Sequence, residues 1–389
     1  MVSPYLNPST EQELKDIINN AHSWVEISKS SLTSNLKVFR DNLPQKTKIM
    51  PVVKSNAYGH GLLGAAKAAQ EGGCDGLAVI SITEALYLRE NGISDLSILV
   101  LSYPNETTGA DLINAAANHN ISLSVNSLAA AKYFQEALIG ATLKVHLKLD
   151  TGTSRVGTLP ESFDDLISSI QTLDKLEIEA LWTHYSSSES SDQSITDEQF
   201  TLLTQANTKY KFPIHAACSA SALTHDESKN CDWVRIGIAY YGLWPSSDIK
   251  DSSPNIELSP ALSWKTKIIA VRKLKAGTHI GYDRTYTLKK DSTIATLGVG
   301  YADGYDRALS NKGSVLINGQ KAPIRGNICM NLTMVDVTHI DNIDVDDVAT
   351  LIGTDGNEII TAEDLADLLN TINYEIVTQI NWDLPRIYS

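Results

Sequence analysis

At 389 residues the chain is too long for one ordinary domain and long enough for two, each with its own core. Hydrophobic residues make up 42% of it and charged residues 20%, the balance of a folded globular protein and not of a disordered or fibrous one. The 32 Lys and Arg against 46 Asp and Glu leave a formal charge of −14, which excludes a nucleic-acid partner, because no excess of cations exists to displace counterions from a phosphate backbone.

Taken in chain order, the predicted elements begin with a short appended helix, where Thr10 and Glu13 form a capping box ahead of Leu14, Ile17 and Ile18. The first twenty residues carry neither a basic n-region nor an apolar h-region, and no apolar run approaches the ~18 residues of a membrane span. The four cysteines, Cys74, Cys218, Cys231 and Cys329, form no C-x-x-C pair, which speaks for a reduced compartment and against a zinc site or a disulfide framework. A cytoplasmic protein with no membrane partner and no bound metal is expected.

From Trp24 a rhythm sets in, with short runs of Val, Ile and Leu alternating with helical periodicity. Eight runs read as strands: Lys48–Lys54, Gly76–Ile80, Ser97–Ser102, Ile121–Val125, Leu143–Leu149, Leu176–His184, Pro213–Ala217 and Trp233–Tyr240. One intervening helix runs from Leu62 to Glu71 and stops at Gly72-Gly73. The next starts at Ser81, with Glu84 placed to close a capping box, and stops at Gly92. Eight strand–helix units in about 230 residues predict an α/β fold of the (β/α)8 TIM-like barrel type, which takes ~250 residues. A doubly wound sheet shares the alternation, but the early Gly-rich dinucleotide fingerprint is missing. After Pro260 strand-like runs dominate (Thr266–Arg272, Thr293–Val299, Ser314–Ile317, Thr333–Val337, Val348–Ile352), with Asn318-Gly319 as a hairpin turn and one helix near Ala362–Leu369. The expected domains are an N-terminal helical extension over 1–22, the barrel over 23–258 and a mainly β domain over 259–389.

Barrel enzymes carry their chemistry on the loops at the C-terminal ends of the strands, and the unusual polar residues collect there. Lys54 ends the first predicted strand. Lys148 lies near the end of the fifth, with Arg155 in the loop beyond; His184 closes the sixth, Ser219 follows the seventh, and Arg235 and Gly237 lie in the eighth. Singly, each has a plain structural reading: a solvated lysine, a hydrogen-bonded core histidine, a helix-capping serine, a packing glycine. As a ring they point to a site. Lys54 follows the apolar run Met50-Pro51-Val52-Val53, so its ammonium faces the barrel mouth, where desolvation lowers its pKa and makes it an amine nucleophile toward a carbonyl. Arg235 inside an apolar strand is costly unless partners meet it. Gly237 suits a backbone cradle for phosphate, in the usual phosphate position of this fold.

Ordered motifs extend this reading. The segment Val53-Lys54-Ser55-Asn56-Ala57-Tyr58-Gly59-His60-Gly61 resembles the cofactor-lysine motif of the alanine racemases. The likeness continues in Lys148-Leu149-Asp150-Thr151-Gly152-Thr153-Ser154-Arg155-Val156-Gly157, Trp182-Thr183-His184-Tyr185 and Arg235-Ile236-Gly237-Ile238-Ala239-Tyr240-Tyr241-Gly242. Gly281-Tyr282-Asp283-Arg284-Thr285-Tyr286, Gly300-Tyr301-Ala302-Asp303-Gly304, Gly326-Asn327-Ile328-Cys329-Met330, Asn373-Tyr374-Glu375 and Pro385-Arg386-Ile387-Tyr388 follow in the same order, so the resemblance runs from about Trp24 to Ser389.

The resemblance implies a pyridoxal 5′-phosphate enzyme that interconverts L- and D-alanine by two-base proton transfer at Cα and supplies D-alanine for peptidoglycan. By the same resemblance Lys54 holds the cofactor, and Tyr58, Ser219, Gly237, Ile238 and Tyr374 bind its phosphate. Arg235 faces the pyridine nitrogen, and Arg155 meets the phenolic oxygen and the substrate carboxylate, with the Met330 backbone N–H as a second carboxylate contact. Lys148 matches a lysine often carbamylated in the family. Tyr282 is the second base, contributed by the other subunit of a homodimer, and Tyr301 from that subunit narrows the entrance with Tyr374. A phenol with an ordinary pKa of ~10 is a poor base near neutrality, so a Tyr282–His184–Arg235 chain is expected to support it, which groups His184 with the cofactor site. An arginine keeps its proton, so it leaves the ring nitrogen an unprotonated acceptor, a weaker electron sink that favours racemisation over transamination. Two departures stand out: Cys218 where the family commonly has Asn before the phosphate-binding serine, and Asn331 where many members have Asp after Met330. The alternatives are a serine-preferring or broader amino-acid racemase, a barrel-type decarboxylase, whose Gly-rich phosphate loop and cysteine region are missing, and a non-catalytic cofactor carrier, which the β domain with Tyr282 and Met330 disfavours.

Overall fold

The computed structural model describes residues 5–8 and 10–389; residues 1–4 and 9, at the start of the predicted N-terminal extension, lie outside the described residues. The chain divides into two units. One comprises Ser30–Ala57 and Ala65–Pro260; the other comprises the chain up to Lys29, Tyr58–Gly64 and Ala261–Ser389.

The first unit holds the eight expected strands: β1 (Lys48–Pro51), β2 (Gly76–Val79), β3 (Ser97–Val100), β4 (Ile121–Val125), β5 (Leu143–Lys148), β6 (Leu176–Trp182), β7 (Ile214–His215) and β8 (Trp233–Ile236). Strands β2 to β7 pair in parallel in chain order, and β8 pairs in parallel with β1 from Trp233↔Lys48 to Ile236↔Pro51. The ring closes at both remaining seams. Val52 bridges to Ala78, and the amides of Asp232 and Arg235 donate to Ile214 (3.1 Å) and Ala217 (3.0 Å). Both faces of such a ring are covered, which is why β2, β4 and β8 are buried at every position, including the polar Ser122, Ser124 and Arg235. The surrounding helices bury one stripe each. In the helix Pro160–Ile170 the stripe is Phe163, Leu166, Ile167 and Ile170, and burying each such side chain contributes roughly 1.5–3 kcal/mol.

The second unit is built on the 13-residue strand Leu262–Leu274, which pairs antiparallel with Ser23–Ile27, Val348–Asp355 and Ser292–Leu297. The strand Ser23–Ile27 therefore belongs here and not to the barrel with which the sequence rhythm groups it. Trp24, Val25 and Ile27 are buried by partners more than two hundred residues away, which no local pattern reveals. The hairpin at Asn318-Gly319 forms as expected. Ile317 pairs with Gln320, and both turn residues have positive φ (50° and 71°), as a type I′ turn requires. The helix Glu11–Asn20 carries the Thr10–Glu13 capping box. A second C-terminal helix, Asn373–Gln379, follows the expected Ala362–Leu369. Among the described residues no helix is long and apolar enough to cross a membrane, and the four cysteines are free.

Candidate active site

Strand β1 ends at Pro51, three residues before Lys54. Lys54 opens a left-handed turn in which Ser55, Asn56 and Ala57 have φ 54° and Tyr58 has φ 52°. L-residues avoid this region at ~1–2 kcal/mol each, so the turn must be held. Glu84 contributes to holding it: one carboxylate oxygen accepts from the Ser55 N–H (3.0 Å) and the other from the Ile80 N–H (2.8 Å). The Ser81 hydroxyl caps the helix by accepting from the Glu84 N–H, and the Ser81 N–H is among the backbone donors that favour the Glu84 carboxylate. Burial, and then the Arg155 guanidinium, hold the Lys54 amine below its ordinary pKa, against a smaller opposing pull from Glu84. A lysine so placed has more of its amine unprotonated near neutrality.

Arg235, on β8 and 3% exposed, is spread over five acceptors. Its Nη2 donates to the carbonyls of Thr183 (2.9 Å) and Ala216 (3.1 Å) and reaches Nδ1 of His184 at 3.4 Å. Its Nη1 donates to the His215 carbonyl (3.1 Å) and to His215 Nδ1 (2.7 Å). Because a guanidinium only donates, both histidines accept through Nδ1 and carry their proton on Nε2. Burial first, then the surrounding cations led by Arg235, keep both imidazoles well below their ordinary pKa. The chain runs on inside the barrel. His215 Nε2–H meets His146 Nδ1 at 2.8 Å, and His146 Nε2–H meets a Glu179 carboxylate oxygen at 2.9 Å. That oxygen also accepts from the Ser122 hydroxyl (2.6 Å). Burial alone would raise the Glu179 carboxyl; the bonds from His146 and Ser122 outweigh it and bring it to about 2. Trp182 is the platform beside this chain: His215 stacks on it (5.6 Å, 6°), and Arg235 and Lys148 lie 5.0 and 4.6 Å from its ring centre. Burial, then Arg155 and Arg235, lower the Lys148 amine to about 8, and it contacts the Tyr103 hydroxyl at 2.8 Å.

Ser219 opens the helix Ser219–Thr224, with Cys218 as its N-cap residue. Its hydroxyl oxygen accepts from the N–H groups of Gly237 (2.9 Å) and Ala239 (3.3 Å). Both lone pairs are engaged, so the hydroxyl proton is left to donate. Ser219, Gly237 and Ile238, which starts the next short 3-10 turn, thus share one corner. Cys218 contacts the Ser188 hydroxyl at 3.1 Å.

The remaining candidates lie in the β unit. Tyr58 and Tyr374 face each other with ring centres 6.1 Å apart. Their approach depends on Gly59, which has φ +82° and whose Cβ, were there one, would lie 1.9 Å from the Val377 carbonyl oxygen on the helix that carries Tyr374. The same segment is anchored from the C-terminal strand. Buried Arg386 donates to the Gly59 carbonyl at 3.1 Å, and the Tyr388 hydroxyl lies 2.7 and 2.9 Å from the carbonyls of His60 and Gly61. Tyr301 and Met330 are joined through the Ala302 N–H, which donates to the Met330 carbonyl (2.8 Å). Tyr282 stands on a hairpin tip, 71% exposed. Asn331 reaches an Asp303 carboxylate oxygen at 3.3 Å.

His146, His215, Glu179 and Tyr103, which shape the barrel part of the site, are not singled out by the sequence, and Trp182 enters there only as a motif residue with no role. One signal was present: Lys144, His146 and Lys148 alternate within an apolar strand, so they share one face of the sheet.

A closed parallel ring, a desolvated lysine past its first strand, an arginine fixed on carbonyl oxygens and a serine hydroxyl aimed from a backbone corner define a barrel enzyme of the kind that carries a phosphorylated aldehyde cofactor on lysine. The chain belongs to the alanine racemase family: the family's N-terminal domain matches residues 27–245 and its C-terminal domain residues 261–388. It is 44% identical to the alanine racemase of Methylacidiphilum infernorum over 94% of this chain and 92% of that one. Its fold superposes with a TM-score of 0.88 on the alanine racemase from Bacillus anthracis with bound L-Ala-P (34% identity, 95% of each chain). It superposes with a TM-score of 0.86 on a histidine racemase from Leuconostoc mesenteroides (31% identity, 95% of this chain and 98% of that one). The activity of the family, and of this chain, is the pyridoxal 5′-phosphate-dependent interconversion of L- and D-alanine. The lowered amine of Lys54, the Ser219 hydroxyl with its proton left to donate and the immobilised cation of Arg235 are chemically suited to that cofactor's aldehyde, phosphate and ring nitrogen.

Proposed function

We propose that Lys54 and Tyr282 are the two bases of this racemisation, one serving each face of the substrate Cα, with Tyr282 supplied by the partner subunit of a homodimer. When bound, the cofactor draws away the electron pair left at Cα. Lys54 then removes or returns the proton on its own face. Arg235 holds its proton and donates toward the ring nitrogen; His184, accepting from Arg235 through Nδ1, is left with an Nε2–H that would support the phenolate of Tyr282. Ser219, Gly237, Ile238, Tyr58 and Tyr374 bind the phosphate. Arg155 and the Met330 N–H hold the substrate carboxylate. Lys148, with its amine lowered to about 8, takes up CO2 as a carbamate and orients Arg155. The enzyme works in the cytoplasm and supplies D-alanine for cell-wall synthesis.

The observation that carries this reading is the half-buried Lys54 amine on its left-handed turn, held below its ordinary pKa. The partner assignment is supported by the exposure of Tyr282 (71%), Met330 (57%) and Tyr301 (43%) in one unit, an apolar surface that calls for cover. Borohydride reduction of the holoenzyme, digestion and mass spectrometry test the central residue: the cofactor mass should sit on the Lys54 peptide, and Lys54→Ala should lose it together with activity. The mass on any other lysine would overturn the assignment. A histidine racemase on the same fold makes substrate breadth a second question. Tyr301 and Tyr374 should hold the preference to small side chains, so alanine should be turned over far faster than histidine or lysine.

A further inference from the structure

The tip that carries Tyr282 is an unfavourable piece of backbone. Gly281 (φ +69°), Asp283 (φ +60°) and Arg284 (φ +51°) all lie in the left-handed region, and only the first is a glycine. The flanking ladder is short, with His279–Ile280 against Tyr286–Thr287. Something outside the hairpin must hold the tip in place.

We infer that Asn327 is a positioning residue for Tyr282, its side-chain amide fixing the backbone from which the phenol projects. Asn327 is 8% exposed. Its Nδ2 donates to the Tyr282 carbonyl (3.3 Å) and to an Asp283 carboxylate oxygen (3.1 Å), and its Oδ1 accepts from the Thr285 hydroxyl (3.3 Å). One planar amide thus bonds to residues on both sides of the strained positions. Its own backbone is set by Gly326, whose φ is +78° and whose N–H donates to Asn311 Oδ1 at 2.7 Å; Asn311 Nδ2 in turn donates to the Thr285 hydroxyl at 3.1 Å. The circuit Asn327–Thr285–Asn311–Gly326 closes on itself beneath the tip. Arg307 lies 3.7 Å from the Asp283 carboxylate that Asn327 also holds. Without the amide, the Tyr282 carbonyl loses its bond to Asn327 and Asp283 is left with the 3.7 Å contact with Arg307, so the tip relaxes and carries the phenol away from its fixed position.

This inference rests on the reading of Tyr282 as a base, and the test separates the two. In D2O, Lys54 can exchange the α-proton of whichever enantiomer presents it, and return a deuteron to the same face without conversion. Loss of the second base therefore suppresses conversion and spares this exchange. Tyr282→Phe is the reference. Asn327→Ala holoenzyme should show the same split, with kcat/KM for conversion down about 10–50-fold and the exchange of one enantiomer within about threefold of wild type. Asn327→Asp, which keeps the volume but sets a carboxylate against the Tyr282 carbonyl and Asp283, should be at least as impaired; a packing role would rank it above alanine. If these variants do not fold, Thr285→Val should show the split more weakly. If Tyr282→Phe splits the two rates but the Asn327 variants lower them together, or leave both unchanged, Asn327 does not position Tyr282. If Tyr282→Phe itself fails to split them, the reading of Tyr282 falls, and this inference with it.

Discussion

Glu179 closes the buried chain from Arg235 through His215 and His146, and its replacement by Gln tests that chain through pH. The carboxyl is brought from an ordinary 4.5 down to about 2. A depression of that size corresponds to about 3 kcal/mol of stabilisation at neutral pH, or about 2–3 kcal/mol once partial solvent exposure of the carboxylate is allowed for. The folded state binds the proton more weakly than the unfolded chain. The stabilisation is therefore present in full above pH 4.5 and is lost as the pH falls toward 2. Glu179→Gln keeps an acceptor for His146 Nε2–H but removes the charge. At fixed protein and cofactor concentration, urea unfolding followed by circular dichroism should show the variant less stable than wild type by about 2–3 kcal/mol at pH 7. The gap should narrow steadily below pH 4.5 and fall to about a quarter of its neutral value by pH 2.5. A gap that stays constant across that range would mean that the loss comes from packing and not from the ionised carboxylate.

Gly59→Ala should be far more severe than its size suggests. A Cβ 1.9 Å from the Val377 carbonyl oxygen at φ +82° forces apart the segments that carry Tyr58 and Tyr374. A stability loss above about 3 kcal/mol and weaker cofactor retention on dialysis are expected; a variant that unfolds and retains cofactor like wild type would remove the role given to this contact. Lys148, with its amine near 8, should react with CO2 to give a carbamate and release a proton, so a carbamate signal from 13C-bicarbonate should be strong at pH 8.5 and weak at pH 6.5. Lys148→Ala should abolish that signal; its persistence would move the modification elsewhere.

The barrel was legible in the sequence because its strands are short runs rich in Val, Ile and Leu bounded by turn residues. All eight occur, but several stop early, the first at Pro51 before Lys54 and the eighth at Ile236 before Gly237 and the 3-10 turn Ile238–Tyr241. The hairpin at Asn318-Gly319 was legible for the same reason, since the turn residues specify their own φ. What stayed hidden depends on distant partners. Ser23–Ile27 is an ordinary strand pattern until Leu262–Leu274 claims it. The left-handed turn after Lys54 is written in Ser, Asn, Ala and Tyr, of which only Asn56 favours positive φ and none announces it as glycine would. Its tether, Glu84, has a good local explanation beside the helix cap Ser81, which hides its bonds to the Ser55 and Ile80 amides. Arg235 was visible as a cost inside an apolar strand, but its acceptors are mostly backbone carbonyls, which any sequence could offer. Lys54, Arg155 and Ser219 stood out at or just beyond the predicted strand ends before any family likeness, whereas Tyr282, on a hairpin tip in the other unit, came from the resemblance alone.

The proposed site takes Lys54 from one chain and Tyr282 from its partner. Lys54→Ala and Tyr282→Ala homodimers should each be nearly inactive. Co-refolding the two variants in equal amounts with cofactor forms mixed dimers in which one site carries both lesions and the other carries neither. About half of the dimers are then mixed, each with one sound site of two, so about a quarter of wild-type racemase activity should return. If Lys54 and Tyr282 of the same chain served one site, every site in every mixture would carry a lesion, and no activity would return.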